Sequence, residues 1–309
     1  MKIIYSIIAP IYNEIDNLPE LYRRVKAVMD SSGESWELVL VDDGSTDGST
    51  EKIRELAQKD KAVRPVIFAR NFGHQVAITA GWDYSRGDAI VIIDADLQDP
   101  PETILELAKK WKEGYEVVYA VRGEREGESW FKKFTAAMFY RLIYSITDVK
   151  IPVDTGDFRL MDRKVVNVLK QMKERHRFPR GMSAWVGFKQ IGVTYKRSAR
   201  VAGVTKYPFS KMLKLALNAI TGFSYFPLQV ATYFGFASAG VAILAIPVVI
   251  FMRMTGSGAF FGQATTLIAV LFLGGVQLIS LGILGEYVGR LYDEAKGRPL
   301  YIARDAPEE

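Results

Sequence analysis

Cysteine is absent from this chain of 309 residues. That excludes a disulfide framework and any thiolate-ligated metal site, and it fits a catalytic part working in a reducing compartment. Two glycine motifs that cradle phosphates are also missing. No G-x-G-x-x-G follows the first apolar strand and no G-x-x-x-x-G-K-[ST] occurs anywhere, which argues against a dinucleotide oxidoreductase and a P-loop ATPase. Lysine and arginine total 40 against 35 aspartates and glutamates, a balance too even to mark a nucleic-acid partner. The N-terminus enters a strand pattern directly, so no signal peptide is expected, and there is no internal repeat or low-complexity segment.

The most informative absence is of charge near the C-terminus. No acidic or basic residue lies between Lys214 and Arg253, nor between Arg253 and Glu286. Each gap exceeds the roughly 20 apolar residues that cross a bilayer, predicting transmembrane helices over 227–252 and 264–287 rather than a buried hairpin. Lys206, Lys211 and Lys214 precede the first span, and Arg290, Lys296, Arg298 and Arg304 follow the second. The loop between the spans, Thr255 to Gln263, is uncharged. By the positive-inside rule both termini and the N-terminal part face the cytoplasm. Gly285 and Gly289 form a G-x-x-x-G step with Gly275 and Gly282 nearby, so close helix contact and a homo-oligomer are expected. Glu286 and Arg290, four apart, predict a local ion pair.

What is present is organised around Ala89 to Pro101, a β-branched run that ends abruptly in acid. This pattern predicts a buried parallel strand delivering its last residues to a cleft. On extended chain Asp94 and Asp96 project from one face. Paired carboxylates of this kind suit Mg²⁺ or Mn²⁺ shared with a substrate diphosphate. Asp99-Pro100-Pro101-Glu102 reads instead as the N-cap of the next helix, with proline at its first position.

In order, the chain predicts a strand over Ile3 to Ala9, a loop Pro10-Ile11-Tyr12-Asn13-Glu14, and a helix from about Asn17 to Asp30. A second strand, Leu38 to Val41, ends in the polar loop Asp42 to Asp47 before a helix closing near Lys59. A third, Val63 to Ala69, leads through Arg70-Asn71-Phe72-Gly73 into a helix ending near Tyr84. Strands alternating with helices imply a doubly wound, mostly parallel α/β sheet with ligands beyond the carboxyl ends of its strands. After a strand over Glu116 to Val121 comes a glycine-rich polar loop, Arg122 to Ser129. Trp130 to Thr147 has the pattern of a basic amphipathic helix, either packed on the sheet or lying in a membrane interface, and the two downstream spans favour the interface. Cations cluster from Lys196 to Lys206 ahead of a second amphipathic stretch, Phe209 to Phe226. The resulting division is a cytoplasmic α/β domain over 1–207 with an interfacial helix at about 130–147, a juxtamembrane helix over 208–226, two spans within 227–289, and a cytoplasmic tail over 290–309.

Taken together, Pro10-x-Tyr12-Asn13-Glu14, Val41-Asp42-Asp43-Gly44-Ser45, Asp94-Ala95-Asp96-Leu97-Gln98-Asp99 and Thr155-Gly156-Asp157-Phe158-Arg159-Leu160 resemble the inverting family 2 glycosyltransferases of the GT-A fold. The paired spans and the Arg200-x-x-Gly203-x-Thr205-Lys206-Tyr207 segment narrow this to the polyprenyl-phosphate glycosyltransferases, the group of dolichol-phosphate mannose synthase and the bacterial GtrB-type enzymes. The resemblance covers essentially the whole chain. It implies a nucleotide pocket lined by Pro10, Tyr12 and Glu14, with Asp42 reading the base, Arg70 on the diphosphate side and Asp94 on the nucleotide-sugar side. It also implies Mg²⁺ or Mn²⁺ on Asp96 and Gln98, and Asp157 as the acidic residue near the acceptor, assigned as base. Arg122, Arg125, Arg200 and Lys206 would hold an acceptor phosphate. The implied activity moves a sugar, glucose by likeness to the GtrB-type group, from its UDP conjugate to polyprenyl phosphate, undecaprenyl phosphate in a bacterial cell envelope. GDP-mannose or another sugar nucleotide as donor, a lipid hydroxyl as acceptor, and a catalytically silent scaffold are the competing readings. The Gln-x-x-Arg-Trp segment of processive polysaccharide synthases is missing, and Arg180-Gly181-Met182-Ser183-Ala184-Trp185 stands in its place.

A phosphate monoester, with a second pKa of about 6, is already mostly dianionic at neutral pH. Asp157 is therefore open to two roles: a base, or a fixed charge that orients the acceptor or stabilises cationic character on the sugar.

Overall fold

A computed structural model describes residues 2–123, 155–196, 224–255 and 263–307. Among these, eight strands form one sheet in the order β7-β5-β6-β4-β1-β2-β3-β8. The first half is a run of strand–helix units: β1 (Tyr5–Ile11), α1 (Leu18–Ser31), β2 (Trp36–Asp42), α2 (Ser49–Lys59), β3 (Val63–Phe68), α3 (His74–Tyr84) and β4 (Ala89–Ile92). The pairs β1–β2, β1–β4 and β2–β3 are parallel. Every residue of β1 and of β4 is buried, as expected of parallel strands covered on both faces. α3 lies tight against this half: a Cβ added at Gly81 would come within 2.2 Å of Ile8 Cγ2.

The second half continues through α4 (Thr103–Lys112), β5 (Val117–Arg122), β6 (Thr155–Asp162), α5 (Arg163–Gln171), α6 (Pro179–Trp185) and β7 (Gln190–Tyr195). β6 runs antiparallel to both of its neighbours, β4 and β5, while β5 and β7 are parallel. At the amino ends of the strands Glu37, buried, accepts from Ser6 Oγ at 2.6 Å and Arg86 N at 2.7 Å, with Arg64 at 3.4 Å. Taking any one partner away from a buried carboxylate held this way is strongly destabilising.

Two long helices, α7 (Phe226–Met254) and α8 (Gln263–Ala295), form a separate unit. Both are long and apolar enough to cross a membrane. Tyr233, Phe236, Leu244, Phe251, Leu278 and Leu291 are all exposed on them, more large apolar surface than water favours. Arg290 reaches Glu286 at 3.1 Å, the expected local pair. The chain re-enters the first unit at Arg298, and β8 (Ala303–Asp305) pairs antiparallel with β3.

Several boundaries differ from the sequence pattern. β1 includes Pro10, opposite Val41 of β2. β4 pairs with β1 only as far as Ile8, so no strand lies on the side where Pro10 lacks an N–H. α8 continues eight residues past Tyr287 to Ala295. The segment after it ends in the sheet, as β8. The predicted amphipathic helix over 130–147 lies outside the described residues, as do 208–223 of the juxtamembrane helix.

Candidate active site

The register of β4 against β6 assembles the site. Ile92 lies opposite Arg159, and because β6 runs backwards its earlier residue Asp157 falls beside the carboxyl end of β4, where Asp94 follows. His74 opens α3 at the end of β3, and its Nε2 sits 3.4 Å from Asp157 Oδ2 and 3.6 Å from Asp94 Oδ1. Arg180, in α6, grips Asp157 from the other side with Nε on Oδ1 at 2.8 Å and Nη2 on Oδ2 at 3.1 Å. Arg159, buried in β6, donates to Ser183 Oγ and to Gly156 O at 2.9 Å, bracing the strand beside Asp157.

These neighbours set the charges. Burial opposes ionisation of Asp157, but the Arg180 charge and the His74 contact outweigh it and hold the carboxyl well below its usual range. Burial likewise opposes charge on His74, and the hydrogen bond to Asp157 with the Asp94 charge outweighs it, lifting the imidazole to about 9. Burial raises Asp94 to about 6 against the pull of His74. Burial lowers Arg159 to about 10, with Asp157 opposing. The cluster thus carries imidazolium, guanidinium and carboxylate together at neutral pH.

The expectation that Asp94 and Asp96 share a strand face is corrected. β4 stops at Ile92, Ala95 and Asp96 lie in a turn, and Leu97 takes a left-handed φ of 59°, so the two side chains are set by a loop and not by a pleat. Asp94 faces His74, whereas Asp96 Oδ1 accepts from Gln98 N at 3.2 Å. The capping role of Asp99 is corrected too. α4 begins at Thr103 with Glu102 as its N-cap residue, and Asp99 is buried, accepting from the Tyr195 hydroxyl at the end of β7.

Asp42, expected to read the base, is fully buried; it accepts from Ser45 N at 3.0 Å and from the Thr50 hydroxyl, pinning its own loop. Asp43 beside it accepts from Phe72 N at 2.6 Å and Gly73 N at 3.0 Å, tying the loop after β3 to the end of β2. Arg70 in that loop is exposed, its guanidinium 4.1 Å from the Phe72 ring centre. Tyr12 is exposed and Pro10 buried, while Glu14 Oε2 accepts from Asn17 Nδ2 at 2.6 Å. Arg122 lies against Gly156, where an added Cβ would meet its Nη2 at 3.0 Å. Arg125, Arg200 and Lys206 lie outside the described residues.

The donor set fits a hard divalent cation. Asp94 Oδ1 is buried with no hydrogen-bond donor, Asp96 and the Gln98 side chain stand within the same loop, and all are oxygen donors suited to Mg²⁺ or Mn²⁺. Among the described residues no three His, Cys, Asp or Glu side chains are grouped so as to hold a metal by themselves.

His74 and Arg180 are the residues that sequence reasoning did not assign. His74 is one of only two histidines, and it follows the polar Arg70–Gly73 loop at a strand end, a signal that was there to be used.

The strand-end cluster lies on a mostly parallel α/β sheet, and the profile of glycosyl transferase family 2 matches residues 6–169. This chain belongs to that family and is a glycosyltransferase with the GT-A type of fold. A glycosyltransferase of Bacillus subtilis (strain 168) named YkcC, itself uncharacterised, is 54% identical over 97% of this chain and 93% of its own length. The prophage bactoprenol glucosyl transferase homolog of Escherichia coli (strain K12) is 43% identical over 98% of this chain and 99% of its own. The bactoprenol glucosyl transferase of Shigella phage SfV is 41% identical over the full length of both chains. A solved glucosyl-3-phosphoglycerate synthase of Mycobacterium tuberculosis overlays with a TM-score of 0.48 at 19% identity, over 71% of this chain and 77% of that one, too distant to argue from.

Proposed function

We propose that this protein is a membrane-bound inverting glycosyltransferase that moves glucose from UDP-glucose to polyprenyl phosphate at the cytoplasmic membrane face. Full-length similarity to bactoprenol glucosyl transferases, the two apolar helices included, supports the acceptor class. The observation that carries the mechanism is the double Arg180 contact on Asp157. A carboxylate so stabilised is a poor proton acceptor, because general-base catalysis works best with a pKa near the operating pH. An acceptor that needs no deprotonation suits this site, and a phosphate is such an acceptor.

In this reading an acceptor phosphate oxygen attacks the anomeric carbon, the bond from that carbon to the diphosphate breaks, and UDP leaves with the electron pair. Configuration inverts in one displacement. Asp157 keeps its negative charge throughout and faces cationic character on the sugar, while Arg180 and His74 hold its orientation. Arg70 attracts the donor diphosphate, and Arg122, Arg125, Arg200 and Lys206 serve the acceptor phosphate. A divalent cation on Asp94, Asp96 and Gln98, when bound, neutralises charge growing on the leaving diphosphate. Asp42 shapes the nucleotide loop from beneath, with Pro10, Tyr12 and Glu14 at its rim.

The topology supports one membrane face for both termini, since two crossings separate the domain from a tail that rejoins its sheet. The basic flanks around the spans make that face the cytoplasmic one. Contact through Gly285 and Gly289 would give a homo-oligomer, which cross-linking in native membranes tests.

The deciding assay incubates the purified protein and lipid extract with a panel of labelled nucleotide sugars. A mild-acid-labile glucolipid made only from UDP-glucose is the expected product. An acid-stable glycolipid indicates a lipid hydroxyl acceptor, label from GDP-mannose moves the donor assignment, and no product from any sugar overturns the reading.

A further inference from the structure

The segment that follows α8 in sequence does more than close the edge of the sheet. Ala69, the first residue beyond β3, is held at both backbone groups: its N–H donates to Ile302 O at 2.9 Å, and its carbonyl accepts from Arg304 at 3.3 Å. Tyr301 stacks on Phe68 with ring centres 5.0 Å apart and planes 20° from parallel. Phe68 meets Phe72 edge-on at 5.6 Å, and the Arg70 guanidinium covers the far ring at 4.1 Å. The same tyrosine hydroxyl donates to Asp83 Oδ2 at 2.9 Å, one residue before the end of the helix that His74 opens. Arg175 donates to Arg298 O and anchors the start of the strap.

We propose that Tyr301 is a positioning residue for the donor site, setting Arg70 through the Phe68–Phe72 stack and His74 through both ends of α3. The ligand whose binding it governs is a nucleoside diphosphate, an assignment that rests on the function proposed above. From one side the Ala69–Gly73 loop is fixed by Asp43; from the other nothing but this strap holds it among the described contacts at Ala69 and Phe68. Loops held by few contacts exchange conformations easily, so removing the ring should loosen the loop before it loosens the sheet.

The test uses the full-length protein in detergent and two variants, Tyr301→Ala and Tyr301→Phe. Three quantities are measured: affinity for UDP with Mg²⁺, KM and kcat for the sugar nucleotide, and hydrogen exchange of backbone amides. Tyr301→Ala should weaken UDP binding about tenfold and raise KM far more than it lowers kcat. Exchange should accelerate over 69–76 and stay unchanged in β1 and β4. Tyr301→Phe keeps the ring stack and should recover most of the UDP affinity. Unchanged exchange over 69–76 overturns the proposal, and so does acceleration spread equally over β1 and β4, which would mean general destabilisation. Because exchange is read without any substrate, a wild-type protein that transfers no sugar defeats the functional reading and leaves the positioning result standing.

Discussion

The sheet has two halves that meet at β4, and they are built on different rules. On the β1–β2–β3 side the strands are parallel and each polar loop sits at the carboxyl end of its own strand, so chain order and spatial order agree. On the β6–β5–β7 side a reversed strand is inserted, and the acid that matters, Asp157, reaches the site from the beginning of its strand. One half presents its polar groups from local loops. The other holds an ion pair, Asp157 with Arg180, whose members are separated by 23 residues, with α5 lying between their elements. If the first half binds the sugar donor and the second faces the acceptor, as proposed above, the donor half should fail through loop geometry and the acceptor half through loss of a charge partner.

The largest effect should come at the junction. Replacing Asp96 with Ala removes an oxygen donor from a half-buried loop without opening the core, so turnover should fall by about 10²–10³ while the melting temperature barely moves. Near wild-type turnover at limiting Mg²⁺ or Mn²⁺ would dissolve the metal assignment. Comparable in free energy, but read in stability rather than turnover, is Arg180→Ala on the acceptor side. Asp157 is 4% exposed, and stripping one partner from a buried pair costs about 3–5 kcal/mol. Chemical denaturation should show that loss, and a change below about 0.5 kcal/mol would mean that water already screens the pair.

The same contrast explains how much could be read before the structure was known. The parallel half was legible because its strands are unbroken apolar runs and its loops are polar punctuation; the predicted starts of β2, β3 and α3 fall close to the observed ones. The acidic motifs were legible as composition but not as geometry. Asp94 and Asp96 looked like neighbours on a pleat because a strand pattern carries no sign of the left-handed turn at Leu97. Asp99 looked like a cap because local chemistry cannot announce a tyrosine 96 positions away. His74 and Arg180 escaped assignment for the same reason: their meaning lies in Asp157, and only the antiparallel register of β6 brings it to them. The strap at Tyr301 is the extreme case, with its Asp83 partner 218 positions earlier in the chain.

A third, intermediate test looks at the charge coupling that joins the halves. His74 belongs to the donor half but is charged by acids of the acceptor half and the junction. Its folded pKa of about 9 lies above the ordinary 6.5, so its contribution to stability is fully present below about pH 6.5 and is lost as pH rises through 9. With only two histidines in the chain, NMR titration can follow it directly. In Asp157→Asn the midpoint should fall by about 1–3 units. A wild-type midpoint near 6.5 would show that the two halves are not electrically coupled.

The smallest effect, and the one most specific to the donor half, concerns Gly44. Its φ is +73°, and a Cβ built there would stand 2.6 Å from both Arg70 C and Asn71 N. Those are backbone atoms, so no rotamer change relieves the contact. Left-handed geometry alone costs an L-residue roughly 1–2 kcal/mol. The clash adds a second demand, that the Arg70–Gly73 loop retreat from the end of β2 and strain its bonds to Asp43. Gly44→Ala should therefore lower stability modestly and weaken UDP binding clearly. Gly114 supplies the control: its φ is +95°, yet nothing lies within 4 Å of an added Cβ. Gly114→Ala pays the same backbone strain in the turn before β5 and should leave UDP affinity untouched. If calorimetry finds both variants binding UDP equally well, the contact between the two loops does not shape the donor site, and the contrast between the halves loses its geometric basis.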